Sequence, residues 1–156
     1  MKRFKIYLFM TVIALPALFS SCGKDKSTAD DNKIKTAKFT FTVTGAANGS
    51  VVSISASGNN TAGKTAIWKV NGQIRSGEDA IVLNAANFTG NTKTYVLEIT
   101  EPLFKIGINL AGELAESGTP FKISYRAEVN GNTVKDEQSV TVDQTHGYLR
   151  MYTYNE

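Results

Sequence analysis

Apolar and polar residues alternate with a period of two along most of the chain after residue 37. Phe39, Phe41 and Val43 interleave with Thr40, Thr42 and Thr44, and Val52, Ile54 and Ala56 with Ser53, Ser55 and Ser57. The same rhythm runs through Ala66, Trp68 and Val70, through Tyr95, Leu97 and Ile99, through Phe104, Ile106, Ile108 and Leu110, and through Ile123, Tyr125, Ala127 and Val129. Shorter runs follow at 80–83, 134–142 and 148–154. Successive side chains on a strand point to opposite faces, so each segment predicts a strand with one apolar and one polar face. Gly45, Gly58-Asn59-Asn60, Asn71-Gly72, Gly90-Asn91 and Asn130-Gly131 punctuate them. Asn-Gly after an alternating run favours a type I′ hairpin, and this arrangement occurs twice, at 71–72 and 130–131. The two are read as separate hairpins, not as a duplication. No segment of ten residues keeps a helical period; 111–117 offers one or two turns at most.

Many short strands with one apolar face each predict an all-β fold, an antiparallel β-sandwich of eight to nine strands, with an open barrel as the second architecture. The domain is placed at 37–156. A chain of that length buries roughly two-thirds of its unfolded surface, enough for one core without a disulfide or metal.

The first 36 residues read differently. Lys2, Arg3 and Lys5 precede an apolar run over 6–19, broken only by Thr11 and Pro16, and then Ser20-Ser21-Cys22. The run is shorter than the roughly 20 residues that span a bilayer, so 1–21 is a secretory signal. Residues 22–36 contain one large apolar residue, Ile34, among many charges, and are expected to form a flexible tether reaching on the order of 20 Å.

Composition narrows the function classes. The 156 residues include a single Cys and a single His, which excludes an internal disulfide and multi-Cys or multi-His metal centres. Of 17 basic residues three lie before Cys22, so the processed chain carries 14 basic against 14 acidic residues. A neutral chain has no global field for nucleic acid or anionic lipid. No metal and no cofactor is expected.

Candidate catalytic groups are sparse. His146, with Asp143 nearby, sits in what reads as a surface turn, and there is no Gly-x-Ser-x-Gly elbow. The pairs Asp30-Asp31, Glu78-Asp79 and Asp136-Glu137 read as solvated charge. Residues 58–65 fit Gly-x-x-x-x-Gly-Lys-Thr, but a strand pattern follows where a phosphate loop needs a helix. The chain is expected not to be an enzyme.

The last strand carries the best binding candidate. Leu149, Met151 and Thr153 fall on one face, and Tyr148, Arg150, Tyr152 and Tyr154 on the other. With Leu149 and Met151 in the core, three tyrosines and an arginine form an outer platform suited to sugar rings or a protein partner.

Two resemblances add to this. Leu18-Phe19-Ser20-Ser21-Cys22 resembles a bacterial lipobox, and with the charged tract from Gly23-Lys24-Asp25 to Ala29-Asp30-Asp31 it is similar to Bacteroidota-type surface lipoproteins. That implies lipidation of Cys22 and an outer-membrane location, cell-surface or, as the alternative, periplasm-facing. Residues 66–72 with Phe88, Gly90, Tyr95, Leu97 and Ile99 resemble an immunoglobulin-like domain of the PKD type. That implies an immunoglobulin-like sandwich with Trp68 in its core; the acidic Gly-Asp-Gly turn of that family is absent. The expected function is a lipid-anchored binding module for a glycan or protein partner. The alternative is a structural or assembly subunit of a surface or envelope complex.

Overall fold

A computed structural model describes residues 33–47 and 49–155 of the chain. The proposed signal and Cys22 lie outside the described residues. The alternating segments become antiparallel strands: β1 (Ala37–Thr44), β2 (Ser50–Asn59), β3 (Trp68–Val70), β4 (Gln73–Arg75), β5 (Ala80–Asn84), β6 (Thr92–Ile99), β7 (Lys105–Leu114), β8 (Phe121–Val129), β9 (Asn132–Val142) and β10 (Tyr148–Asn155). They form a sandwich of a six-stranded sheet, order β4-β3-β6-β1-β8-β9, and a four-stranded sheet, order β10-β7-β2-β5. The strand beyond the expected nine is β4, three exposed residues with no buried face to mark it.

The alternation does the packing. Phe39, Phe41, Val43, Leu97, Ile123 and Tyr125 from the larger sheet meet Val52, Ile54, Leu83, Ile106, Ile108 and Leu110 from the smaller one, and all are buried. Trp68 is fully buried and lies 6.4 Å from the ring of Phe39. Gly112 of β7 leaves room for side chains of the other sheet: an added Cβ would sit 2.6 Å from the tip of Ile123.

Both Asn-Gly pairs form the turn expected of them. Asn71 and Asn130 each have φ near +49°, followed by Gly72 and Gly131 at +80°, the two left-handed residues of type I′. Each asparagine also clamps a neighbouring strand. Asn71 donates its N–H to the Val96 carbonyl and its Oδ1 accepts from the Val96 N–H, both at 2.8 Å. Asn130 donates to the Thr36 carbonyl at 2.9 Å, and its Oδ1 accepts from the N–H of Lys35 at 2.7 Å and of Thr36 at 3.2 Å.

The second clamp corrects the domain boundary. Residues 33–36 are not tether. Ile34 is buried and exchanges two backbone hydrogen bonds with Leu103, at 3.0 and 2.9 Å. One apolar residue in a charged tract suffices here because Leu103 offers it a buried site and a bridge.

Replacing Asn130 by glycine keeps the left-handed turn and the backbone bond to Thr36 but deletes the side-chain half of the clamp, the Oδ1 bonds to the N–H groups of Lys35 and Thr36. Asn130→Gly should lose about 1–2 kcal/mol in a urea melt and speed amide exchange at Ile34 and Leu103. Asn130→Asp, which keeps the acceptor, should lose less than half of that. Unchanged exchange at Ile34 in Asn130→Gly would show that the clamp does not hold this segment.

Candidate functional site

The C-terminal strand lies the other way round from the expectation. Tyr148 is buried, and Tyr152 and Tyr154 are half-buried, whereas Leu149 and Met151 are 69% and 75% exposed. The register explains it. β10 pairs with β7 so that Tyr152 lies opposite Ile108, Tyr154 opposite Ile106 and Arg150 opposite Leu110. Directly opposed residues share a face, and the buried face of β7 is Ile106, Ile108 and Leu110. The outer platform of Tyr148, Arg150, Tyr152 and Tyr154 therefore does not form; these residues close the side of the sandwich.

The rings go inward because their hydroxyls find partners there. Glu137 of β9 accepts from Tyr148 Oη and from Tyr152 Oη, each at 2.7 Å, one on each carboxylate oxygen. Lys135 Nζ stands 2.8 Å from Glu137 Oε1, and Arg150 Nε 3.5 Å from Oε2. Tyr154 and Tyr125 join hydroxyls at 2.8 Å. The rings stack in series: Phe41 on Tyr125 at 5.2 Å, Tyr125 on Tyr152 at 5.1 Å, and Tyr154 against Phe39 at 5.4 Å. Arg150 lies 4.8 Å from the Tyr148 ring and Lys135 5.6 Å from the Tyr152 ring, so both cations close over aromatic faces.

Two bulges in β9 put the carboxylate there. Val134 is extra between the pairs Ala127–Lys135 and Glu128–Thr133, and Gln138 and Ser139 both face Ser124. At the second, Ser139 has φ +53° and donates its N–H to Ser124 Oγ at 2.9 Å. Each bulge flips the alternation. Between them Lys135 and Glu137 face inward, and beyond them Val140 and Val142 do. The expected reading of Asp136-Glu137 as solvated charge holds for exposed Asp136 alone.

The electrostatics follow from this packing. Desolvation pushes the Glu137 pKa up, but the hydrogen bonds from Lys135, Tyr148 and Tyr152 outweigh it and hold it down at about 2. Burial, and then the bond to Glu137, raises Tyr148 far above the usual phenol range, so it stays a neutral donor.

The other sequence candidates are local structure. Asp143 Oδ1 accepts from the Thr145 N–H at 2.8 Å, Thr145 Oγ1 at 2.7 Å and the His146 N–H at 2.9 Å, which closes an exposed turn. Thr145 Oγ1 and Asp143 both reach the same nitrogen of His146, Nδ1, at 2.8 and 3.1 Å. A relay needs the two ring nitrogens on two different partners. In the Gly58–Thr65 stretch, the N–H groups of Ala62 and Lys64 both point at Asn60 Oδ1, at 2.9 Å each, and Lys64 Nζ pairs with Glu101 at 2.6 Å. The amides and the lysine that a phosphate would require are already engaged. Among the described residues no group of three His, Cys, Asp or Glu is placed to hold a metal ion.

What the sequence reading missed is the outer face of the four-stranded sheet. The register sets three rows across it: Leu149, Ala111, Ser53, Asn84; Met151, Asn109, Ser55, Val82; and Thr153, Gly107, Ser57, Ala80. None of these twelve positions is charged. The middle is low, built from Ser, Ala, Gly and Asn, and Leu149, Met151 and Val82 stand at its margins, all more than 60% exposed. The six-stranded sheet shows the opposite outer face, with Lys38, Glu98, Arg126 and Glu128 among its outward residues. The signal was present in the serine and small-residue alternation of β2 and β7, but it joins into one surface only through the register.

Comparison with solved structures places this sandwich beside two crystal structures of DUF4425 proteins. One, a DUF4425 family protein from Bacteroides ovatus, matches with a TM-score of 0.54 and 14% identity, over 78% of this chain and 94% of that one. The other, a domain of unknown function from Bacteroides vulgatus, matches with a TM-score of 0.57 and 12% identity, over 80% and 96%. At that identity the likeness is one of fold. No protein-family model matches the chain, the PKD type included, and no curated protein matches it.

Because its donors favour the ionised form of Glu137 in the folded chain, its contribution has a defined pH window. Its folded pKa is depressed, so the stabilisation is complete above the ordinary carboxylate pKa and is lost as pH falls toward about 2. Glu137→Gln should be less stable by about 2–3 kcal/mol near neutral pH, and the gap should close between pH 4.5 and pH 2. A gap of constant size down to pH 2 in paired denaturant melts would mean that the carboxylate charge is not what holds the tyrosines.

Proposed function

We propose that the chain is a non-enzymatic lipoprotein, anchored at the outer membrane through Cys22, whose sandwich binds a partner through the outer face of the four-stranded sheet. One observation carries the reading: the two sheets have unlike outer faces, one charged across its strands and one with three consecutive uncharged, low-relief rows between Lys105 and Glu113 at the ends of β7, edged by exposed Leu149, Met151 and Val82. Interface centres are depleted of charge, whereas ordinary solvated faces are not. The Tyr148, Tyr152 and Tyr154 rings face inward, so no ladder of stacked rings is offered to a sugar, and of the two partner classes a protein fits better than a glycan. The leader and Cys22 supply the anchor, and the Bacteroides origin of the two fold neighbours fits a Bacteroidota-type leader. The surrounding chemistry supports the non-catalytic part, since Asp143, His146, Lys64 and Glu137 are each committed to local hydrogen bonds or ion pairs.

The second reading, a subunit of an envelope assembly, draws on a different feature, the open edge of β10.

Protease shaving of intact cells tests the location. Wild-type chain should be clipped on whole cells, and the Cys22→Ala form should not be found on them; protection until lysis would place the domain in the periplasm. A photo-crosslinking residue at Ser55 should then trap a partner, while one at Thr42, on the outer face of the other sheet, should not. Equal trapping from both faces would remove the assignment.

A further inference from the structure

A strand at the end of a sheet exposes unpaired N–H and C=O groups that template another strand, and folded proteins blunt such edges. Three of the four edges here are blunted. β4 has three residues, β5 has five and runs into a 3₁₀ turn at Ala85–Phe88, and β9 carries two bulges with inward Lys135 and Glu137. β10 is different. It runs for eight residues in unbroken register with β7, without a bulge or proline, and among the described strands β7 is its only partner. Its outer side carries exposed Leu149 and Met151, and its one charged residue is Arg150, whose Nη1 donates to the Leu149 carbonyl at 2.9 Å.

We propose that β10 pairs with β10 of a second copy of this chain, antiparallel about a two-fold axis at Met151, joining two four-stranded sheets into one of eight strands. The occupant follows from the strand's self-complementarity. A two-fold axis normal to the sheet keeps the outer faces on one side only if it passes through a residue, so that each position meets one of like parity. An axis through Arg150 sets two guanidinium groups directly opposite, which like charge disfavours. An axis through Tyr152 sets Leu149 against Asn155. The axis through Met151 sets Met151 on Met151 and Leu149 on Thr153 outside, and Arg150 on Tyr152 and Tyr148 on Tyr154 inside. It joins the apolar margins of two faces and opposes no like charges. Arg150 has only to release the Leu149 carbonyl to the incoming strand. This inference stands apart from the membrane anchor and from any partner of the flat face.

Cysteine cross-linking reads the register directly, because directly opposed residues of an antiparallel pair have Cα atoms about 4.5–5.5 Å apart, within the Cα span of a disulfide. In chain carrying Cys22→Ser the introduced thiol is the only one. Under mild oxidation Met151→Cys should form a disulfide-linked dimer, roughly tenfold faster than Leu149→Cys or Thr153→Cys alone, since only the axial position meets its own copy. Mixing Leu149→Cys with Thr153→Cys should restore the cross-link, as a heterodimer. Thr42→Cys, on the other sheet, sets the collision rate. A Met151→Cys form no faster than Thr42→Cys, or Leu149→Cys cross-linking to itself as readily as Met151→Cys, would overturn the proposal.

Discussion

The carboxylate of Glu137 decides which way the last strand faces. Rolling β10 by one residue would bury Leu149 and Met151 in place of the tyrosines, a gain of about 1.5–3 kcal/mol for each. A tyrosine ring offers more surface to bury, about 150–250 Å² when fully covered, and three of them lie along this face. That larger gain is realised only if the hydroxyls are satisfied, because an unpaired buried polar group costs about 1–3 kcal/mol. Glu137 takes two of them and Tyr125 the third. With those partners in place the aromatic face wins, and the aliphatic residues are left in solvent.

This constraint reaches both edges of the sandwich. Glu137 is itself inward only because β9 is bulged on either side of it. The same bulges and the inward charges make β9 a poor template for a further strand. Holding the tyrosines inward, in turn, forces Leu149 and Met151 to the outside of β10, next to Ala111 and Asn109. A single buried network thus closes one edge and leaves the other apolar and open.

The β-sandwich was legible because strands such as β1 and β8 have one wholly apolar face, and alternation of that kind has one reading. So were the two type I′ turns, whose Asn-Gly pairs set φ locally. What sequence could not show lies where alternation is broken or two-sided. In β9 the bulges shift the inward set from Lys135 and Glu137 to Val140 and Val142, a change of parity that looks like irregular charge in the sequence. In β10 both faces are credible: Leu149 and Met151 are apolar, and Tyr148, Tyr152 and Tyr154 are amphipathic. Hydrophobicity alone chooses the first. The choice reverses once a carboxylate, eleven residues before Tyr148 and on a strand of the other sheet, is known to wait there. Ile34 is the same problem in miniature, since its partner Leu103 is distant in the chain.

The reversal also moves the functional reading. An outward row of tyrosines argued for stacking on a sugar; an inward row argues that the residues most suited to recognition were used for closure. What remains outside is a face with three uncharged rows on one sheet and a face with ion pairs on the other. Charges on a surface strand keep it soluble and keep other strands away, so a sheet that lacks them over three consecutive rows has given up that protection on the side that also bears the open edge. The cost of such a surface to a free monomer is the physical reason to look for what covers it.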